Sequence, residues 1–127
     1  MSATTGYFSF QEPIDTPVPA ELNNCPTQVA TGDLNGNGLY DVVVGSCINA
    51  VAIFLSNGDG TLAAPTVFVT AAFFSRFSDP ETLALAVFDT DGNLDIAVAN
   101  QRGGTVSLII GNGDGTFQSP VELVSDR

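Results

Sequence analysis

DLNGNGLYD, Asp33 to Asp41, places side-chain oxygens at positions 33, 35 and 37 and ends on a second carboxylate at 41. Apolar runs flank it, TQVATG before and DVVVGS after. Oxygen-bearing residues alternating with Gly36 and Gly38 describe a tight turn between two strands, because glycine supplies the backbone freedom for the curl. The oxygens also make it a candidate metal-binding turn. A shortened relative, DTDGNLD, occupies Asp89 to Asp95.

The sequence around the turn repeats as well. Asp41 and Asp95 lie 54 residues apart, while Asp59 to Asp114 and Pro65 to Pro120 each span 55. In the first copy the order is TQVATG, the acidic turn, DVVVGS, AVAIFLS, the turn NGDG at Asn57 to Gly60, and TLAAPTVFV. In the second it is LALAVF, the shortened turn, DIAVAN, TVSLIIG, NGDG at Asn112 to Gly115, and TFQSPVELV. The apolar runs are short, rich in Val and Ile, and bounded by Gly, Asn or Asp, which is strand punctuation. Asn and Gly accept the positive φ angles of tight hairpins. Four antiparallel strands follow for the first copy, near residues 27 to 32, 41 to 46, 50 to 56 and 62 to 69. A four-stranded unit with a period of this length is the mark of radial or stacked sheet architectures.

Upstream, YFSFQEPI (7 to 14) reads as a short strand ending at Pro13, suited to an edge where no amide donor is needed. Its FQEP, Phe10 to Pro13, matches FQSP at Phe117 to Pro120 and, more loosely, LAAP at Leu62 to Pro65. The chain thus holds three versions of the fourth strand and two of the others, leaving one surplus strand in search of a sheet edge. Residues 15 to 26, with three prolines and no periodicity, form a loop.

The bulk numbers narrow the partners. The chain has 127 residues, 44% of them apolar, and a formal charge of −11 with no His. That composition supports a real core and one domain's worth of structure. The acidic surface repels phosphate backbones and anionic lipid, so nucleic acid and membrane are not expected partners, whereas cations suit the field. No apolar run reaches the roughly 18 to 20 residues of a spanning helix, and the start MSATTGYF lacks the basic and apolar regions of a leader peptide. Cys25 and Cys47 bracket the opening turn. In a hairpin centred near residue 36 they stand opposite each other, so a cross-strand disulfide and an oxidising compartment are expected, the alternative being two buried thiols.

With ATGDLNGNGLYDVVVGS followed by an apolar strand and LSNGDGTLAAP, and with VSLIIGNGDGTFQSP in the second copy, the sequence resembles the FG-GAP or VCBS repeats, blades of the integrin-α-like β-propeller. The resemblance covers nearly the whole chain. It implies an all-β fold of two four-stranded propeller-type blades plus the surplus N-terminal strand. The expected divisions are an N-terminal strand and Pro-rich loop at 1–26, a first blade at 27–69, a Phe-rich spacer at 70–82 and a second blade at 83–127. It also implies Ca²⁺ between the first two strands of a blade, with Asp33, Asn35, Asn37 and Asp41 as side-chain ligands and the carbonyl of Leu39 as a further donor. In the second blade the corresponding set is Asp89, Asp91, Asn93 and Asp95, two residues short and in a tighter turn.

Calcium takes about six to eight oxygens at roughly 2.3 to 2.6 Å, which alternating positions on a tight loop can supply. Two carboxylates make a weak site of the extracellular kind, with a Kd near ~10⁻⁴ M. The alternative is that Asp and Asn form side-chain-to-backbone turns and nothing more. The NGDG turns account for Asp59 and Asp114 without a metal. Phe73, Phe74 and Phe77 around Arg76 form either a partner-binding surface or a satellite core under a loop. Without His, a GxSxG elbow, a CxxC pair or a nucleotide-binding GxGxxG context, catalysis is not expected.

The third strands, AVAIFLS and TVSLII, are continuously apolar and so are expected to be covered on both faces. Two blades cannot close a ring that typically needs four to eight. The expected protein is a secreted, non-enzymatic structural or adhesion module, partnered by copies of itself or by neighbouring blades of a longer chain, with a protein or glycan as the ligand. The alternatives are a carbohydrate-binding lectin module and a scaffold piece of a larger secreted enzyme.

Overall fold

In a computed structural model, residues 12–22, 25–46, 50–69, 82–88, 91–100 and 105–124 are described. They form two four-stranded antiparallel sheets. The first contains β1 (Pro26–Gly32), β2 (Asp41–Ser46), β3 (Ala50–Phe54) and β4 (Thr66–Val69), in that spatial order. The second repeats the arrangement with β5 (Thr82–Ala86), β6 (Asp95–Asn100), β7 (Thr105–Ile109) and β8 (Val121–Val124). No helix among the described residues is long and apolar enough to cross a membrane.

The repeat extends to the register. Val42 faces Phe54 across β2 and β3, and Ile96 faces Ile109 across β6 and β7. Ala52 faces Val67 in the first sheet as Ser107 faces Glu122 in the second. After the third strand each copy narrows to a single bridge, Ser56 to Leu62 and Gly111 to Phe117, before the chain turns. The third strand of the first copy therefore ends at Phe54 and the fourth starts at Thr66, inside the expected spans, because the NGDG turn takes up the residues between.

The sheets pack face to face, coming closest between β1 and β5. Val43, Val51 and Ile53 of the first sheet meet Ile96, Val98 and Ile109 of the second in one core, with Leu34 beside them. Phe68 and Phe117 close the far side edge to face, their centroids 6.3 Å apart. Each fully buried aliphatic side chain contributes about 1.5 to 3 kcal/mol. The faces that meet are not equivalent ones. Under the repeat offset, Val43, Val51 and Ile53 correspond to Ala97, Val106 and Leu108, which lie on the opposite side of the second sheet from Ile96, Val98 and Ile109. Each sheet thus has a front and a back, and the front of the first packs on the back of the second. The packing is head to tail.

That leaves one front and one back without a sheet. The back of the first sheet, Val42, Val44, Ala52, Phe54 and Val67, is covered by the chain's own upstream segment: Leu22, fully buried at the end of a 3-10 turn (Ala20–Leu22), and Val18 pack on it. Among the described residues nothing comparable covers the front of the second sheet, where Val106, Val121 and Leu123 are 39%, 54% and 51% exposed.

These faces correct one expectation. All five residues of β3 are buried, as a doubly covered strand requires. In β7, however, only Ser107 and Ile109 are buried, because its other face meets no neighbour among the described residues. Most of the expected surplus N-terminal strand, 7 to 14, lies outside the described residues. Residues 12 to 14 are irregular, residues 7 to 11 lie outside the described part, and the segment that follows packs flat on a sheet face.

Candidate metal-binding loops

The loop between β1 and β2 wraps around one carboxylate. Asp33 Oδ1 accepts the backbone N–H groups of Gly36 and Asn37 at 2.8 and 3.2 Å, and Oδ2 accepts that of Gly38 at 2.8 Å. These amides, Gly38 foremost and then Gly36, hold the Asp33 carboxyl below its ordinary value against an opposing desolvation. The loop can curl this way because Gly36 and Gly38 adopt φ of 77° and 85°. Asn35 Oδ1 accepts from Asn37 N–H at 3.3 Å, and Asn37 Oδ1 from Leu39 N–H at 2.9 Å. The side-chain-to-backbone turns weighed against calcium are therefore present.

They do not exhaust the oxygens. A carboxylate offers about four lone-pair sites and an amide oxygen two. Asp33, which receives three N–H groups, Asn35 and Asn37 each keep acceptor capacity, and the Leu39 carbonyl adds to the set. All are hard oxygens, the kind Ca²⁺ prefers.

Asp41 stands differently from its expected role. It is fully buried, and its two oxygens accept the N–H of Leu34 and of Ser56, both at 2.8 Å. It ties the start of β2 to the acidic loop on one side and to the exit of β3 on the other. Asp95 does the same work in the second copy, accepting from Phe88 N–H at 3.0 Å and Gly111 N–H at 2.8 Å. Composition alone did not reveal this clasp. Its signal in the sequence is an Asp opening an apolar strand in both copies at the repeat spacing, which a ligand assignment had already absorbed.

In the shortened loop, Asp91 Oδ1 accepts from Asn93 N–H at 2.9 Å, and Asp89 lies outside the described residues. Among the described residues no three Asp, Glu, Cys or His side chains converge on one point, so any cation held in either loop would take amide and carbonyl oxygens beside at most two carboxylates. The two loops do converge on each other. Asp33, Leu34 and Gly36 from the first, Gly92, Asn93 and Leu94 from the second, and Gly113 of the second NGDG turn line a cleft of about 190 Å³. Sequence spacing had treated the loops separately, since nothing in a one-dimensional repeat places one copy's loop beside the next.

The NGDG turns are as read. Asp59 Oδ1 accepts the hydroxyl and the N–H of Thr61, and Asp114 Oδ1 those of Thr116. The threonine hydroxyl is the main cause holding each carboxyl below its ordinary value, with the amide second. No free thiol occurs among the described residues. Cys47, the expected partner of Cys25, lies outside them, as do Phe73, Phe74, Arg76 and Phe77.

Residues 26–46, which comprise β1, the first acidic loop and β2, match the family model of the FG-GAP repeat. No curated protein and no solved structure matches the chain.

Proposed function

We propose that the chain is a Ca²⁺-stabilised, propeller-type repeat unit serving as a secreted, non-enzymatic structural or adhesion module, joined to further blades or to copies of itself. The observation that carries it is the head-to-tail packing of the two sheets. Front on back is how successive members of a ring or stack associate. The FG-GAP match over the first two strands and their loop supports the same reading. The residues that would hold calcium are Asp33, Asn35, Asn37 and the Leu39 carbonyl, with Asp91 and Asn93 in the second loop. Bound there, the ion would supply charge neutralisation and a stiffer strand connection. Asp41 and Asp95 support the loops from beneath by fixing the amides of Leu34 and Phe88. A Cys25 to Cys47 bridge would brace the opposite end of the same hairpin and fits an extracellular setting.

Isothermal titration of chelator-treated protein tests the calcium reading. Wild type is expected to bind with a Kd near ~10⁻⁴ M, and Asp33→Ala to lose that binding. Absence of heat at millimolar Ca²⁺, with the same melting temperature in calcium and chelator, would leave the loops as hydrogen-bonded turns alone.

A second reading, a carbohydrate-binding module, has one observation in its favour. The cleft between the acidic loops presents the Asp33 and Asn93 side chains beside glycine backbone. A glycan array with Asn93→Ala as control separates the two.

A further inference from the structure

We propose that the two NGDG turns are the chain's sites of spontaneous deamidation, at Asn57 and Asn112, and that Asp33 shields Asn35 and Asn37 of the acidic loop from the same reaction. The proposal holds with or without a bound ion and does not rest on the propeller-type reading.

Asparagine reacts most readily when glycine follows it, because no side chain hinders attack by the next backbone nitrogen. That step occurs at Asn35-Gly36, Asn37-Gly38, Asn57-Gly58 and Asn112-Gly113. A base removes the glycine N–H proton, and the nitrogen attacks the asparagine Cγ. The new N–Cγ bond closes a cyclic succinimide, the Cγ–Nδ2 bond breaks, and Nδ2 leaves as ammonia after taking up a proton. Water then opens the ring at either carbonyl, giving aspartate or isoaspartate. Asparagine and water thus become aspartate or isoaspartate and ammonia, with no change of oxidation state. The reaction needs a glycine N–H that can be given up and a Cγ carbonyl open to attack.

In backbone the four steps are alike, since Gly36, Gly38, Gly58 and Gly113 all adopt positive φ, between 77° and 91°. They differ in what the glycine N–H meets. In the acidic loop one carboxylate holds both: Gly36 N–H donates to Asp33 Oδ1 and Gly38 N–H to Oδ2, each at 2.8 Å. A hydrogen bond to a charged acceptor is roughly twice as strong as a neutral one. Removing either proton would also set an amide anion against a carboxylate. The shield acts on the nucleophile alone. Asn35 Oδ1 accepts the Asn37 N–H at 3.3 Å and Asn37 Oδ1 the Leu39 N–H at 2.9 Å, bonds that polarise the very carbonyls to be attacked. Isoaspartate would route the main chain through a side chain, so sparing Asn35 and Asn37 preserves the connection between β1 and β2.

The NGDG turns have no such guard. Their carboxylates, Asp59 and Asp114, are turned to Thr61 and Thr116 instead. Gly58 N–H meets a hydroxyl, Ser56 Oγ, at a long 3.4 Å. In the second copy the position of Ser56 is taken by Gly111, so Gly113 N–H lacks that partner. Asn57 and Asn112 are both exposed. The bond from each Nδ2 to a threonine hydroxyl, 2.9 Å in both turns, is a neutral surface contact that yields easily.

Ageing of the full chain in warm, mildly alkaline, calcium-free buffer, followed by peptide mapping of isoaspartate, reads the four rates. Asn57 and Asn112 are expected to convert about ten- to a hundredfold faster than Asn35 and Asn37, the ratio a charge-assisted hydrogen bond on the nucleophile gives. Asp33→Asn keeps the side chain's shape and removes its charge. It is expected to raise the rates at Asn35 and Asn37 toward those of the turns, while Asn57 and Asn112 keep theirs. Equal rates at all four sites in the wild type would overturn the proposal, and protection of Asn35 and Asn37 that persists in Asp33→Asn would remove Asp33 as the shield. Amide hydrogen exchange in the unaged wild type takes the same protons and tests the shield without a variant. Gly36 and Gly38 are expected to exchange more slowly than Gly58 and Gly113; exchange as fast as in the turns would overturn it.

Discussion

Asp41 and Asp95 show how much of a motif residue's role depends on atoms far away in sequence. Each was legible as a carboxylate at the end of an acidic turn. Neither could be read as a clasp, because the second amide it receives comes from Ser56 or Gly111, after the next strand. Asn at either position keeps one acceptor but turns an NH₂ toward a buried N–H. Asp41→Asn and Asp95→Asn are therefore each expected to cost about 1 to 3 kcal/mol, measured by urea denaturation. A loss within error of zero would mean that the clasp contributes little. Asp33 is the opposite case, legible from the spacing as part of a tight turn and wrapped by Gly36, Asn37 and Gly38. Its carboxyl, like those of Asp59 and Asp114, titrates lower in the folded protein than in the unfolded chain. The stability this gives is present above the unfolded value of about 3.9 and drains away as pH falls through the lower folded values. Melting temperature should accordingly drop below about pH 4, less steeply in Asp33→Asn; an unchanged slope would remove Asp33 from the acid response.

Among the elements, the strands and turns followed from punctuation and periodicity, since Asn57 to Gly60 and Asn112 to Gly115 each force a reversal. Gly58, Gly60, Gly113 and Gly115 all adopt φ near 90°. The faces did not follow. The run TVSLI carries apolar residues on both sides of the strand, Val106 and Leu108 on one and Ile109 on the other, so nothing local says which side of β7 meets a neighbour; only the other sheet's position decides that Ile109 is buried and Val106 is not. The Pro-rich segment also escaped prediction. Its lack of periodicity concealed Val18 and Leu22, two apolar residues four apart, which one 3-10 turn suffices to lay on Ala50, Ala52 and Phe54. Leu22→Ala is expected to cost about 2 to 5 kcal/mol, while also opening the back of the first sheet. Gly111→Ala probes a different constraint. A methyl there would run into the Leu94 carbonyl, a backbone atom with little room to yield, so a loss of about 1 to 3 kcal/mol is expected. Wild-type stability would show that β7 and its neighbour shift easily.

At the scale of the whole molecule, the repeat fixed the number of sheets and their internal order, and the structure adds their relation. Two equivalent sheets can meet like face on like face, which closes the pair, or front on back, which leaves a front at one end and a back at the other, the back here covered by Val18 and Leu22. Val43, Val51 and Ile53 against Ile96, Val98 and Ile109 is the second arrangement. The propeller-type reading and the role of Leu22 as a cover both depend on it. Methyl-to-methyl NOEs in selectively labelled protein test it most directly. The account predicts cross-peaks from Val43 and Ile53 to Ile96 and Ile109, with none from Leu108 to Val51 or Ile53 within one molecule. Cross-peaks joining Leu108 and Val106 to Val51 and Ile53 in dilute, monomeric samples would show like faces packed together and contradict it.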